Sequence, residues 1–404
     1  MSKQREYELI LWGATGFTGA LVARHLIDTY GDSLNWAIAG RNLAKLESLK
    51  TELGSPDLPV IQADSGDRAS LDAMVNRTQV VCTTVGPYAS YGTELLAACA
   101  QAGTHYCDLT GEVQWMAHTI DQYQKKAESS GARIVHTCGF DSIPSDLGTL
   151  YLQQCMQQEF GEYADVVKAR VGKFSGSASG GTIASMMVMM EQASKDSSVR
   201  DIMADPYSLN PVGERTGADG PDDNTALFDE DFSQWTSPFV MAAVNTRVVR
   251  RSNALSKNLY GKNFSYDERQ LTGTDAGAKR KAKAIAMGTK LTPTVMSFAP
   301  VRNLAARFLP SPGEGPSPEE QHRGHFELFF HGTNSESGNA LKTRLAGDRD
   351  PGYGSTSRML GEAAVCLARD DLSCQGGIWT PATAMGDLLI KRLANSAGIT
   401  FERV

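Results

Sequence analysis

The chain has 404 residues, of which 41% are hydrophobic and 21% charged, with 39 Gly and 16 Pro scattered without a period; at roughly 150 residues per domain this makes two or three folded domains and excludes fibrous and disordered classes. A net charge of -7 speaks against wrapping nucleic acid, whose protein partners carry a strongly basic face. The seven cysteines include no Cys-x-x-Cys pair, so neither a disulfide framework nor a thiolate zinc site is expected, and a reducing cytoplasm is the expected location.

Met1 to Glu8 is polar and runs straight into an apolar stretch, without an apolar signal segment. The first 140 residues then alternate short apolar runs with helical patterns, which predicts consecutive βαβ units and a parallel sheet covered on both faces. Strands are expected at Glu8 to Trp12, Trp36 to Ala39, Val60 to Ala63, Val80 to Thr84, His105 to Leu109 and Arg133 to His136. Helices fall between them, for example Thr18 to Asp28, with its stripe of Leu21, Val22, His25 and Leu26, and Leu95 to Ala102.

Between the first strand and the first helix stand Gly13, Ala14, Thr15, Gly16, Phe17, Thr18 and Gly19. Glycines let a backbone turn sharply and approach a pyrophosphate, while free N–H groups and the dipole at a helix start stabilise its charge. The alternative is a tight turn without a ligand. In a dinucleotide site, an acidic residue at the end of the second strand would hold the ribose 2'-hydroxyl. This chain has Ala39-Gly40-Arg41 there, so NADP is favoured, with Arg41 pairing the 2'-phosphate; an ordinary helix-start surface role is the other use of Arg41. Asp64, after the third strand, suits either the adenine edge or a helix N-cap. The fourth strand leads into Gly86, Pro87 and Tyr88. The first two let the backbone pass close to a nicotinamide ribose, and the Tyr88 phenol is a candidate proton donor or an aromatic lid.

Beyond Leu152 the rhythm changes. A longer strand, Ala164 to Phe174, leads to the Ser/Gly loop of residues 175–181, an anion site or a plain turn, and then to a helix from about Thr182. Met186, Met187, Met189 and Met190 on that helix suit a core stripe or an adaptable pocket for an acyl chain. Residues 205–235 read as a long loop and Gln321 to Gly332 as an extended segment. Alternation through Phe326, Leu328 and Phe330 makes His322, His325 and His331 strand residues, and no metal site is expected. Arg247, Arg250 and Arg251, and Lys279, Arg280, Lys281 and Lys283, read as solvated helix faces or as a docking face for an acidic acyl-carrier domain. No apolar run is long enough to span a membrane. Pro293 to Leu309 carries Val295, Phe298, Val301, Leu304 and Ala305 as one helical stripe, for the chain's own core, a second copy in a homodimer, or peripheral contact at the inner membrane face. Pro310 to Pro318 reads as a connector. Thr356 to Arg369 and Pro381 to Ala394 show helical patterns.

With Gly13 to Gly19, Ala39-Gly40-Arg41 and Gly86-Pro87-Tyr88 in place, the chain resembles the saccharopine dehydrogenase family of NADP-binding oxidoreductases, and more narrowly the bacterial trans-acting enoyl reductases. Tyr106 to Glu112, Gly139 to Asp146, Val249 to Ser252 and Asp350 to Tyr353 extend the likeness over nearly the whole chain. The resemblance implies a Rossmann-type doubly wound parallel sheet with a second α+β domain, the substrate lying between them. The change of rhythm after Leu152 divides the chain into an NADP-binding part at 1–150, a substrate and interaction part at 151–355, and C-terminal helices at 356–404 expected to pack back on the first part or on the second. The activity implied is reduction of a carbon-carbon double bond in a lipid or polyketide chain carried by a separate synthase.

Such a reaction needs stabilisation of enolate charge and a proton for the α-carbon. None of the 12 Tyr has Lys four residues on, so a Tyr-x-x-x-Lys pair does not supply it. Asp141 and Ser142, after the sixth strand, are candidates to orient substrate or water, or else caps for a helix starting near Ile143 with Pro144 in its first turn. Three readings remain: an NADPH-dependent enoyl reductase, a dehydrogenase of an amino-acid-type substrate needing cationic groups for carboxylates, and an NADP-binding protein without turnover.

Overall fold

The structure is a computed structural model that describes residues 5–176, 180–297 and 315–404. Runs of β-branched and small apolar residues build β1 (Tyr7–Trp12), β2 (Trp36–Gly40), β3 (Val60–Gln62), β4 (Thr78–Thr83), β5 (His105–Cys107) and β6 (Arg133–Val135). Both faces of such strands are covered by helices, so they read as continuous apolar runs; β1 is buried at five of its six positions. The sheet is parallel and has the order β13-β6-β5-β4-β1-β2-β3, β13 being Gly377–Trp379 from the far end of the chain. The winding reverses between β1 and β4, and the carboxyl ends of these two strands open a crevice at the switch point.

A second seven-stranded sheet is built from β7 (Val166–Ser175), β8 (Leu227–Asp229), β9 (Gln234–Pro238), β10 (Ser265–Gly273), β11 (His325–Thr333), β12 (Ala340–Gly347) and β14 (Ile399–Arg403). Its order is β14-β12-β11-β7-β10-β9-β8. Only β7 with β10 is a parallel pair, the others being antiparallel. On β11 the alternation holds: Phe326, Leu328 and Phe330 are buried. The helix Ile143–Phe160 leaves β6 of the first sheet and packs on β11 and β12 of the second, joining the two bodies. The helix Thr356–Arg369 returns to the first sheet, lying on the helix Phe17–Tyr30 with β1 and β4. His25 and Glu362 meet there at 2.9 Å, and Tyr30 donates to the same carboxylate at 2.6 Å.

Four local expectations change, the first being the long loop of residues 205–235, whose end forms β8 and the start of β9. Gln321 to Arg323 is helical, because Ser317, Pro318 and Glu320 form a capping box that starts the helix Pro318–Arg323, and extended structure begins only at His325. Pro381 to Ala394 is two helices, Pro381–Ala384 and Gly386–Ser396, separated where Gly386 has φ +45. The largest correction concerns Arg247, Arg250 and Arg251, which are no solvated face: all three are buried on the helix Ala242–Leu255. The long loop supplies the reason. Its Asp222 and Asp219 approach Arg247 and Arg250 at 2.7 and 2.6 Å, while Arg251 donates to the carbonyls of Leu209 and Ile378.

Lys279, Arg280, Lys281 and Lys283 are exposed on the helix Ala276–Ser297. Of the Pro293 to Leu309 stripe, Phe298 onward lies outside the described residues; Val295 is exposed, as are Leu291 and Met287 one and two turns before it. Among the described residues no helix is long and apolar enough to cross a membrane, and no cluster of His, Cys, Asp or Glu gathers that could hold a metal ion.

Candidate functional site: the crevice at the sheet switch point

Each glycine of the first turn answers a different demand. Gly13 has φ +87, and a Cβ on it would stand 2.6 Å from Val85 Cγ2. On Gly19 it would meet the Gly13 carbonyl oxygen at 2.2 Å. These two are required by the packing of the helix Phe17–Tyr30 against β1 and β4. Gly16 has an ordinary φ of -77, its nearest neighbour would be 3.3 Å away, and it is exposed together with Thr15, while Ala14 is buried. No side chain caps the helix and no acidic residue lies in its first turn. Its first intrahelical bond runs from Ala20 to Gly16, so among the described residues the N–H groups of Phe17, Thr18 and Gly19 have no acceptor. An acid-free, uncapped helix start behind an open glycine fits the pyrophosphate of a dinucleotide. The Phe17 ring meets Tyr353 edge-on at 4.6 Å, tying the turn to the segment ahead of the helix Thr356–Arg369.

Arg41 follows β2 and is exposed; its carbonyl accepts from Gln62, and its guanidinium forms no ion pair among the described residues. The next helix is capped by Asn42, not by Arg41. Asp64 is exposed and its carboxylate accepts from Gly66 N–H at 2.8 Å, whereas the cap of the helix Arg68–Val75 is Asp67.

At the end of β4, Gly86 is exposed and the Pro87 carbonyl accepts from the N–H groups of Ser90 and Tyr91. The Tyr88 ring turns inward: its hydroxyl donates to the Thr83 carbonyl at 3.1 Å and its ring lies 5.4 Å from that of Trp115. Burial holds its phenol well above the usual range. The proton expected to be offered to substrate is thus engaged in fastening the ends of β4 and β5. Below it, Glu112 accepts from the N–H groups of Tyr88 and Ala89, both at 2.8 Å, and from the Ser185 hydroxyl at 2.7 Å. Burial raises this carboxyl's pKa. Sequence reasoning gave Glu112 no role of its own, because its partners are 23, 24 and 73 residues away.

A second buried cluster was equally invisible. His136 Nδ1 is 2.7 Å from Asp108, which also accepts from Tyr106 OH and from the N–H groups of Thr110 and Thr137. Asp141 stands just past it. Its half-buried carboxyl lies 3.7 Å from the space a Gly111 side chain would take, and desolvation, followed by the charge of Asp108, pushes its pKa up to about 7. Ser142 occupies the cap position of the helix Ile143–Phe160 without capping it, donating instead to Asn245 at 3.0 Å. Of the Ser/Gly loop, residues 177–179 lie outside the described residues. Met186, Met187, Met189 and Met190 are half-buried on the helix Gly180–Lys195.

Comparison with known proteins agrees with this geometry. Residues 9–135 match the model of the saccharopine dehydrogenase NADP binding domain. A protein of Mycobacterium ulcerans (strain Agy99) named trans-acting enoyl reductase is 40% identical over 407 residues, covering 97% of this chain and 96% of that one. Another of that name, from Mycobacterium tuberculosis (strain ATCC 25618 / H37Rv), is 40% identical over 410 residues, covering 96% of each. Among solved structures, apo saccharopine dehydrogenase (L-Glu forming) from Saccharomyces cerevisiae superposes with a TM-score of 0.54 at 11% identity, over 98% of this chain and 99% of that one. That likeness is one of fold.

Proposed function

The chain belongs to the saccharopine dehydrogenase family and, within it, to the group of the mycobacterial trans-acting enoyl reductases, and from that premise we propose that it is an NADPH-dependent reductase of a carbon-carbon double bond in an acyl chain presented by another protein. The observation that carries this reading is the uncapped, acid-free helix start at Gly16, with the unpaired Arg41 guanidinium beyond it. Phe17, Thr18 and Gly19 would hold the pyrophosphate, Arg41 the 2'-phosphate, and Gly86 and Pro87 the nicotinamide side. Bound NADPH supplies a hydride for the β-carbon of the enoyl group.

The protein's own part is orientation and the proton. Asp141, with a pKa near neutrality at the crevice edge, is the group we assign to protonate the α-carbon. Tyr88 is a positioning residue that holds the Thr83 to Tyr88 turn in place. The rival reading, on an amino-acid-type substrate, needs free cations for carboxylates. Arg247 and Arg250 are engaged by aspartates and Arg251 by carbonyls, which removes its best candidates. The exposed basic run of Lys279, Arg280, Lys281 and Lys283 supports docking of an acidic carrier domain by charge complementarity. We divide the chain functionally as an NADP part at 1–150, a substrate part at 151–355 and a C-terminal part at 356–404.

The test is NADPH oxidation in the presence of an enoyl thioester, with the product identified by mass, beside the same assay with amino acid and oxo acid pairs. Formation of the saturated thioester is expected. Oxidation with the oxo acid pairs alone would overturn the assignment.

A further inference from the structure

The helix Ala276–Ser297 buries one face and leaves the other open to solvent. Ala278, Ala282 and Ala286 are buried where it packs on β9 and β10. On the opposite side Met287, Leu291 and Val295, at four-residue spacing, are 65, 53 and 47% exposed. Exposed apolar residues scattered singly are ordinary. Three in one register, on a helix that makes its core contact through small alanines, form a second apolar face. At the start of the helix the edge strand β8 adds Leu227 and Phe228, both exposed; the Phe228 ring lies edge-on 5.6 Å from that of Trp235, over which Lys279 Nζ stands at 4.5 Å.

Charge follows the same face. In a chain of net charge -7, the 22 residues of this helix hold Lys279, Arg280, Lys281, Lys283 and Lys290 and no Asp or Glu. None of these cations pairs with a carboxylate among the described residues. At about 100° per residue, Arg280, Lys283, Met287 and Leu291 fall within an arc of about 80°, opposite the buried alanines, so cations and apolar side chains are presented together. A second copy of the chain would bring cations against cations across a two-fold axis. An acidic protein domain would match the cations but leave in water the apolar residues, which run on to Val295 with Lys290 as the one charge after Lys283. A surface with anionic groups above an apolar interior matches both.

We propose that this helix docks the protein on an anionic phospholipid bilayer. It lies in the plane of the headgroups, with Met287, Leu291 and Val295 turned toward the acyl boundary and Lys283 and Lys290 among the phosphates. The rest of the molecule, more negative still than the whole chain, is held off the same surface, which selects one orientation. The helix also meets the helix Gly180–Lys195, which carries Ser185 beside Gly86, so a single helix separates the docking helix from the place assigned to the nicotinamide.

The experiment sediments the full chain with vesicles of phosphatidylcholine alone and of phosphatidylcholine mixed with phosphatidylglycerol, at low and at high salt, and measures the size of the protein without vesicles. Wild-type protein is expected to pellet with the mixed vesicles only, and less at high salt. Leu291→Glu should lower the bound-to-free ratio about tenfold or more. Lys283→Gln combined with Lys290→Gln should lower it about 30-fold, some fivefold for each cation. All of these positions are exposed, so melting temperatures should stay as in wild type, and the lysine pair keeps the test available if Leu291→Glu does not fold. Wild-type protein that ignores the mixed vesicles overturns the proposal. So does unchanged binding by a folded Leu291→Glu, which reduces the helix to a charged face open to an acidic protein domain. A wild-type dimer that Leu291→Glu turns into a monomer, without lipid binding, assigns the stripe to a second copy and overturns it too. No turnover is read, so failure here leaves the reductase reading standing, and failure of that reading leaves the docking.

Discussion

The turn at Gly13 to Gly19 and the helix Ala242–Leu255 both carry the residues that stand out most in the sequence, glycines in one and arginines in the other, and they are built in opposite ways. In the turn, the contacts that require glycine are made by near neighbours or by the adjoining strand end: Gly13 against Val85, Gly19 against Gly13. What remains without an acceptor among the described residues is the set of N–H groups of Phe17, Thr18 and Gly19. In the arginine helix nothing is left over toward solvent in this way. Its charges are closed by aspartates and carbonyls from a loop that begins some 40 residues earlier in the chain. The contrast teaches that a site for a ligand leaves its open bonding capacity at the crevice, whereas charges covered by the chain's own loop are architecture, even where Arg247 Nε and Arg251 Nε stay buried without a partner among the described residues.

The largest effect should come from breaking the architectural side. Arg250 is held by Asp219 and by the carbonyls of Pro206 and Tyr266. Arg250→Leu leaves the largely buried Asp219 without its cation, though still accepting from Ser265 and Tyr266, and should cost about 3 kcal/mol, read as a fall in melting temperature, with NADPH affinity unchanged in the protein that remains folded. A drop in affinity without loss of stability would place Arg250 in the site instead.

The mirror experiment is on the turn. Gly16→Val puts a branched side chain where the pyrophosphate is assigned, and should weaken NADPH binding by about 100-fold or more, some 2.7 kcal/mol, while circular dichroism and melting stay as in wild type. Gly19→Ala, by contrast, should damage fold and binding together, since its Cβ has no room. Full binding by Gly16→Val would reduce the turn to a structural device.

A smaller effect sharpens the assignment of the unpaired cation. Wild-type protein should prefer NADPH to NADH by about tenfold, and Arg41→Asp should erase or reverse the preference through loss of one charge-assisted pair. Equal affinities of the wild type in a fluorescence titration would remove Arg41 from the site.

The smallest is a pH effect at Asp141. Its pKa is raised from 3.8 to about 7, so the fold favours the neutral carboxyl; that contribution is fully present below pH 3.8 and is lost as pH rises through 7. Asp141→Asn should therefore gain stability relative to wild type, by at least about 1 kcal/mol between pH 5 and 8. If Asp141 also donates the proton, wild-type turnover falls as pH passes 7 and the variant loses that limb of the profile. A stability difference that is flat with pH contradicts the buried, neutral carboxyl.

The same contrast explains what could be read in advance. Six of the seven strands of the parallel sheet, the glycine turn and the helix Thr356–Arg369 follow from periodicity and glycine placement, which act over a few residues. Glu112 bridging Tyr88, Ala89 and Ser185, and Asp108 joined to His136, depend on pairings across 23 to 73 residues, for which no local pattern exists. Tyr88 was legible as a residue of the crevice; that its hydroxyl turns to Thr83 was not, because χ angles follow from packing by Trp115 and Glu112. The arginines were misread for the converse reason. Charge in a helix predicts exposure, and only the acidic loop that covers them reverses this.

The most direct test of the account follows the hydride itself. With NADPH deuterated at the transferable C4 position and an enoyl thioester as acceptor, the product should be the saturated thioester carrying deuterium on its β-carbon, and Gly16→Val should yield none. An unlabelled thioester recovered intact while deuterium enters an amine formed from an oxo acid would contradict it.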